Sequence, residues 1–302
     1  MTTQEFLPYR KTVGTGPKSN RDLERDEMKT VMRALLSGEV CPEQAGAFLL
    51  GWRVKGESLE EFAASIEVFD EFVRKEPLAH SVEFGYPYDG KIKNPYLFPL
   101  TARFLKKHNL RLSLHGDLLQ PPKGGTTLKE VCEGLPLSDN IHYYDRADYF
   151  KALHAFSGLR RKLGLRTSFN TIEKLLNITE SETAVTGAFH KPFIEKYIKL
   201  YKDRYKRLVI IKGNEGAPEI FSKCSVIIVE NDQVDERKVD PKDFGIHYRK
   251  STQRISLETS LALTNDPSEE LMKLAQLNAA VLLFITQKVK SIEEGFALLS
   301  ER

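Results

Sequence analysis

The stretch HKPFIEKYIKLYKDRYKRLVII, residues 190–211, reads as a helix running into a strand. Pro192 suits a first helical turn, and Ile194, Tyr197, Ile198 and Tyr201 recur at helical spacing on one face. Lys196, Lys199 and Lys202 fall on the opposite, solvated face. Leu208, Val209, Ile210 and Ile211 then form a short branched run, the mark of a strand buried on both sides. The same composition recurs at 226–229, so both runs are expected as buried parallel strands. Residues 110–114 alternate apolar and polar and run into His115 and Gly116, as a strand does. Helix and strand taking turns predict an α/β domain with a mainly parallel sheet. A last helix is expected from Asp266 and Pro267, with Glu269 in capping-box position and Leu271, Leu274, Val281, Leu282 and Ile285 buried.

The N-terminal quarter has a different texture. Met28, Val31, Met32 and Leu35 give one apolar helical stripe, and Ser37-Gly38 supplies a stop. Pro42 opens a second helix with Ala45, Phe48, Leu49 and Trp52 on one face, closed at Gly56. Ser58 and Glu61 have capping-box spacing ahead of Phe62, Ile66, Phe69 and Val73, and Pro77 ends the block. The expected organisation is therefore a small, all-helical domain at 1–76, completed by helices from about 150–190, and a larger α/β domain at 77–302. The helical block is either a compact domain or half of a dimer interface.

Hydrophobic content of 41% and charged content of 29% are ordinary for a globular chain. The longest apolar run, 279–285, is far short of a membrane span. The first residues show no secretory apolar segment. Cys41, Cys132 and Cys224 are scattered, so a reduced, cytoplasmic setting is expected. The histidines show no metal-binding spacing. Net charge is only +3, yet its distribution is uneven. Residues 8–21, 90–116 and 151–166 are basic and free of acids, while Glu57, Glu60, Glu61, Glu67, Asp70, Glu71 and Glu76 crowd together. Segregated charge favours anionic partners, although any single run can also be a solvated face.

Several segments, taken in order, resemble the anthranilate phosphoribosyltransferase and pyrimidine nucleoside phosphorylase family. Leu36-Ser-Gly-Glu-Val40, Gln44-Ala-Gly-Ala-Phe-Leu49 and Val54-Lys-Gly-Glu57 are similar to its helical-domain signature. Gly164-Leu-Arg-Thr-Ser-Phe-Asn170, Val209-Ile-Ile-Lys-Gly-Asn-Glu-Gly216, Pro241-Lys-Asp-Phe-Gly245 and Leu277-Asn-Ala-Ala280 match later landmarks, in family order. The resemblance implies a helical domain joined to an α/β domain, with the active site in the cleft between them. A phosphoribosyl pyrophosphate donor needs bare backbone amides in a glycine-rich loop, small polar groups for its phosphates, and carboxylates for magnesium.

This chain departs from that pattern where the donor would sit. The loop reads Phe84-Gly-Tyr-Pro-Tyr-Asp-Gly90, with rings and a proline in place of bare backbone. Tyr96, Leu97, Phe98 and Pro99 stand where the family has a polar turn, and Leu114 replaces its lysine. Pro218 takes the place of the metal-binding Asp, leaving Glu219 alone. Arg160 matches the family arginine that contacts the aromatic substrate, but reads equally as a surface cation. Asn170 and His115 are the other residual catalytic candidates.

The replacements interleave aromatics with cations, the pattern of grooves that hold nucleic acid by stacking and phosphate neutralisation. With Tyr9-Arg-Lys11 and Arg21-Asp-Leu23, the chain is most similar to the non-biosynthetic branch of the family, whose members are homodimers that bind nucleic acid. Candidate contacts are Arg10, Lys11, Tyr86, Tyr88, Lys91, Lys93, Arg103, Arg160, Arg161 and Arg166. Tyr86 and Tyr88, in a Gly/Pro-rich loop, are expected at the surface, whereas Phe98 reads as core. The leading expectation is a sequence-indifferent nucleic-acid-binding homodimer with no cofactor and no membrane. The alternative is a phosphoribosyl or glycosyl transferase for an aromatic or base-like acceptor, which would take phosphoribosyl pyrophosphate and Mg2+ on Glu219. Gly124-Gly-Thr-Thr127 reads as a plain loop or an anion site, and Asn278 as a hydrogen-bonded core amide.

Overall fold

A computed structural model describes residues 1–300. Helices α1 (Thr3–Gly14), α2 (Arg25–Leu36), α3 (Pro42–Lys55) and α4 (Leu59–Phe72) form the N-terminal bundle. Ser58 accepts from Glu61 N while the Glu61 carboxylate accepts from Ser58 N, so the expected capping box sets the start of α4. Gly38 and Gly56 both hold positive φ, at 73° and 88°, where they end α2 and α3.

The sheet contains β1 (Ser81–Gly85), β2 (Arg111–Gly116), β3 (Ile141–Asp145), β4 (Thr183–Ala188), β5 (Arg207–Lys212), β6 (Cys224–Glu230) and β7 (Gln233–Val239). They lie in the order β3-β2-β1-β4-β5-β6-β7, and the first five are parallel. Phe84 on β1 sits opposite Leu114 on β2 and Val185 on β4. Contrary to expectation, 226–229 is not a parallel strand: β6 runs antiparallel to β5 and β7 antiparallel to β6. The connection 213–223 holds only a single 3-10 turn, too short for a crossover back over the sheet. Asn231 and Asp232, at φ 50° and 61°, then make the tight turn into β7.

The remaining helices are α5 (Phe98–Leu105), α6 (Leu128–Gly134), α7 (Arg146–Tyr149), α8 (Lys151–His154), α9 (Phe156–Leu163), α10 (Phe169–Ile172), α11 (Lys191–Tyr201), α12 (Leu257–Asn265), α13 (Glu269–Ile285) and α14 (Ile292–Leu298). The last long helix is capped by Ser268, not by Asp266, since the Ser268 hydroxyl accepts from Leu271 N.

Two apolar cores flank the sheet, and alternate residues of each strand feed one or the other. Val209 and Ile211 join Leu274, Leu277 and Val281 of α13 on one side. Leu208 and Ile210 join Phe62, Phe69, Ile172 and Tyr201 on the other. The second core is shared by the N-terminal bundle and by residues 149–178, so those short helices bridge bundle and sheet. Asn278 fills its expected role: Oδ1 accepts from Ile220 N at 2.8 Å, and Nδ2 donates to Leu274 O at 2.8 Å.

Candidate functional site

The site is built at the carboxyl ends of β1 and β4, where open parallel sheets carry their ligand crevices. β1 ends at Gly85, where a Cβ would lie 2.8 Å from Lys174 O, so only glycine fits. From there the loop turns inward. Tyr86 is 1% exposed and its hydroxyl donates to Glu219 Oε1 at 2.7 Å. The same oxygen accepts from Leu97 N at 2.6 Å and Phe98 N at 3.0 Å. Lys91, also 1% exposed, pairs with the other Glu219 oxygen and donates to Pro95 O. Burial pushes the Lys91 ammonium down, and Glu219 pulls it back. Burial likewise raises the Tyr86 phenol well above its ordinary value, and the Glu219 charge adds to this.

These contacts correct several expectations. Tyr86 and Tyr88 are not surface rings, and Lys91 is not a free cation. The loop folds under 125–126, with Lys91 N donating to Thr126 O and Thr126 N to Lys91 O, both at 2.9 Å. Gly90 and Gly125 permit this approach, since a Cβ on Gly125 would meet Lys91 O at 2.4 Å. The 124–127 segment therefore closes the loop, and Thr127 caps α6. Glu219 does not fit magnesium either. Its oxygens are already taken by a tyrosine hydroxyl, an ammonium and two amides, and its neighbour is Pro218. Among the described residues, no three His, Cys, Asp or Glu side chains gather in a way that could hold a metal. Phe98 is core, as its sequence context predicts.

Tyr88 lines a second buried network. Its hydroxyl meets His115 Nδ1 at 2.5 Å, and the Arg146 guanidinium lies 3.7 Å from its ring centre. His115 Nε2 faces Glu83 Oε1 at 3.2 Å, and Glu83 Oε2 accepts from Tyr205 at 2.6 Å. Arg146 donates to Glu173 at 2.7 Å, and Arg160 grips Glu173 with bonds of 2.6 and 2.8 Å. Burial opposes the Glu173 charge, but the two arginines outweigh it and hold its carboxyl below the ordinary value. Arg160 and His115 are thus fully buried, and neither is a surface cation or an open catalytic group.

What remains open is a cleft of ≈ 360 Å³ beside the closed loop. Lys123, Arg166, Asn170, Lys174, Phe189 and Phe193 line it. Asn170 accepts from Thr167 N at 3.0 Å through Oδ1, and its amide donates to Pro121 O at 3.3 Å. Arg166 pairs with Asp89 at 2.6 Å, and Lys123 stands 3.3 Å from the same carboxylate. Glu215 holds a positive φ of 63°, anchored by Ile92 N at 2.8 Å and Asn94 Nδ2 at 3.0 Å. The segment 252–255 is tied to the neighbouring loops: Lys93 Nζ donates to Thr252 O, and Arg254 to Lys123 O, at 3.0 and 3.1 Å.

Of the sequence candidates, the structure brings Tyr88, Arg166 and Asn170 to the wall of this cleft, with Lys93 next in sequence to the lining residue Ile92, but not the others. Arg10 and Lys11 line a separate groove between α1 and α3 with Arg21 and Lys55. Arg103 is exposed and donates to Thr264 O, lining another pocket with Leu135 and Asn265. Arg161 is exposed on α9. Lys123, Lys174, Phe189, Phe193 and Arg254 escaped the sequence reading. Only Lys174 left a signal, as a charge inside the apolar run Ile172-Glu-Lys-Leu-Leu176.

A helical bundle and a mostly parallel sheet, with an aromatic, cationic crevice at the strand ends, give the molecule the two-domain architecture of the glycosyl transferase fold. The chain belongs to the glycosyl transferase family, matching its helical bundle domain over residues 10–73 and its a/b domain over residues 139–302. It is 31% identical to an uncharacterized protein of Aquifex aeolicus, across 91% of each chain. It is 28% identical to the anthranilate phosphoribosyltransferase of Caldicellulosiruptor saccharolyticus, over 93% of this chain and 90% of that one. Among solved structures, the anthranilate phosphoribosyltransferase of Saccharomyces cerevisiae with PRPP and Mg shares the fold at TM-score 0.79 and 15% identity, over 99% and 93% of the two chains. The Thermus thermophilus enzyme does so at 0.73 and 21%, over 97% and 93%.

Proposed function

We propose that the protein is a homodimer that binds nucleic acid without sequence preference and does not transfer phosphoribosyl groups. The observation that carries this reading is the rim of the cleft. Lys123 and Arg166 line it around Asp89, Arg254 is bonded to Lys123 O and Lys93 to Thr252 O close by, and beside them stand Phe189, which is 63% exposed, and Phe193, which is half-buried. Cations that neutralise phosphates, alternating with rings that stack on bases, are the parts of a sequence-indifferent groove. The aromatic role thus passes from Tyr86 and Tyr88 to Phe189 and Phe193. Supporting the loss of transfer chemistry, the protein's own tyrosines and lysine fill the donor loop.

Dimerisation has its own support. Val54 is 85% exposed at the end of α3 and Leu165 is 57% exposed just after α9, two helices that pack together. Apolar side chains left this open are ones that a second copy could cover. The three cysteines are free, which suits a reducing, cytoplasmic setting, and no helix of the described residues is long and apolar enough to cross a membrane.

Fluorescence anisotropy with labelled single- and double-stranded DNA at two salt concentrations tests the reading. Micromolar or tighter binding that weakens steeply with salt is expected, and silence at about 50 mM salt overturns it. Calorimetry with phosphoribosyl pyrophosphate and Mg2+ is expected to show no saturable heat. Light scattering reads the mass of the particle, which should be that of two chains.

A further inference from the structure

Lys174 sits at the floor of the cleft, 5% exposed, and its surroundings lack the partner a buried cation needs. Nζ donates to Gly187 O at 2.6 Å and to Gly216 O at 3.3 Å, and among the described residues no carboxylate is bonded to it. Two carbonyls satisfy the two N–H bonds of a neutral amine. The protonated form has a third N–H, which requires an acceptor the protein does not provide.

The groups around it act in both directions. Lys123 and Arg166 repel its charge, Asp89 and Glu173 favour it, and the Tyr197 ring lies 5.2 Å away. His190 and Glu215 complete the polar lining of the same cleft. Burial dominates and, with Lys123 and Arg166, pushes the ammonium down to about 7. An anion entering the cleft would reverse this balance. It would meet three cations, supply the missing acceptor and draw a proton onto Lys174.

We propose that Lys174 anchors a phosphate monoester carried on a planar ring, a ligand of mononucleotide size whose ring rests against Phe189 and Phe193. The volume suits this class, being at the lower end of small-molecule pockets. Lys123 and Arg166, which share Asp89 as their partner, line the same cleft and would take part of the phosphate charge, and exposed Phe189 with half-buried Phe193 offers an apolar face. Such a group has two sources, a free nucleotide or the phosphorylated end of a strand. The second source rests on the nucleic-acid reading; the first does not.

The test titrates the full-length protein with 5′-AMP, with adenosine, and with a short oligonucleotide carrying or lacking a 5′-phosphate, from pH 6.5 to about pH 9. Adenosine is expected to bind at least about tenfold more weakly than 5′-AMP, since it lacks the charge-assisted bonds. Affinity for 5′-AMP is expected to fall about tenfold per pH unit above neutrality, because binding selects the protonated amine. In Lys174→Met this pH dependence disappears and affinity drops, while a thermal melt shows the variant folded. A gain in affinity from the 5′-phosphate on the oligonucleotide assigns the site to strand ends, and a gain confined to 5′-AMP assigns it to free nucleotides. Equal binding of 5′-AMP and adenosine, pH-independent affinity, or no response to either phosphate overturns the proposal. Binding of the unphosphorylated oligonucleotide is a separate readout: its loss would sink the groove at the rim and leave the Lys174 site standing.

Discussion

Arg160 holds Glu173 with two parallel hydrogen bonds of 2.6 and 2.8 Å, and both side chains are fully buried. The pair ties α9 to the segment after α10, so its role is architectural. Arg160→Ala would leave Glu173 with Arg146 alone. Removing one partner of a buried pair costs about 3–5 kcal/mol, so urea melts should show a loss of that order. Any nucleic-acid affinity that survives folding should stay unchanged.

Tyr88→Phe separates stability from binding more gently. The substitution removes the hydroxyl that meets His115 Nδ1 but keeps the ring under Arg146. His115 Nδ1 would keep only the 3.4 Å contact with the Tyr149 hydroxyl, so the loss should cost about 1 kcal/mol in a denaturant melt. DNA affinity is expected to be that of the parent, because the ring, only 6% exposed at the wall of the cleft, keeps its place. A large drop in affinity for a folded variant would restore Tyr88 to the binding surface.

Phe189→Ala is the complementary change. Its side chain is exposed, so stability should move by less than about 0.5 kcal/mol. Loss of a stacking ring should weaken single-stranded DNA by about 1–3 kcal/mol and duplex DNA by less, as anisotropy titrations can measure. Replacing Lys93 and Arg254 by alanine should weaken both substrates alike. It should also flatten the salt dependence on duplex DNA by about one unit for each phosphate that is no longer neutralised.

Lys174 gives stability a pH signature of definite sign. Its folded pKa of about 7 lies below the ordinary lysine value of 10.5, so between those limits the unfolded chain binds more protons. Stability therefore rises with pH across that window, by up to about 1.4 kcal/mol per unit. Below neutrality the cost of burying the charge is present in full. Denaturant melts of the parent and of Lys174→Met, compared from pH 7 to pH 10, isolate this contribution. The parent should gain on the variant as pH rises; parallel curves would show that Lys174 stays charged throughout.

How much of this the sequence revealed depended on the range of the interaction. Ser58 and Glu61 signal α4 because a capping box acts over one turn, and Asn278 stands out because an amide in an apolar stripe must find partners. The helix-to-strand passage at 190–211 was equally legible, since period and branching are local properties. Tyr86 was not. A ring among glycines and prolines looks exposed, yet its acceptor is Glu219, 133 residues away in sequence. Arg160 and Glu173 are only 13 apart, but a charge run carries no sign that one member turns inward. The reversal of β6 was hidden for another reason: composition shows that a strand is buried, and only the short connection 213–223 determines its direction.

The reciprocal amide bonds between Lys91 and Thr126 stitch the loop after β1 to the segment ahead of α6 like two rungs of a ladder. Backbone amides held in such a pair are shielded from solvent until both bonds open together. The backbone hydrogens at positions 91 and 126 should exchange with heavy water on the timescale of the central strands.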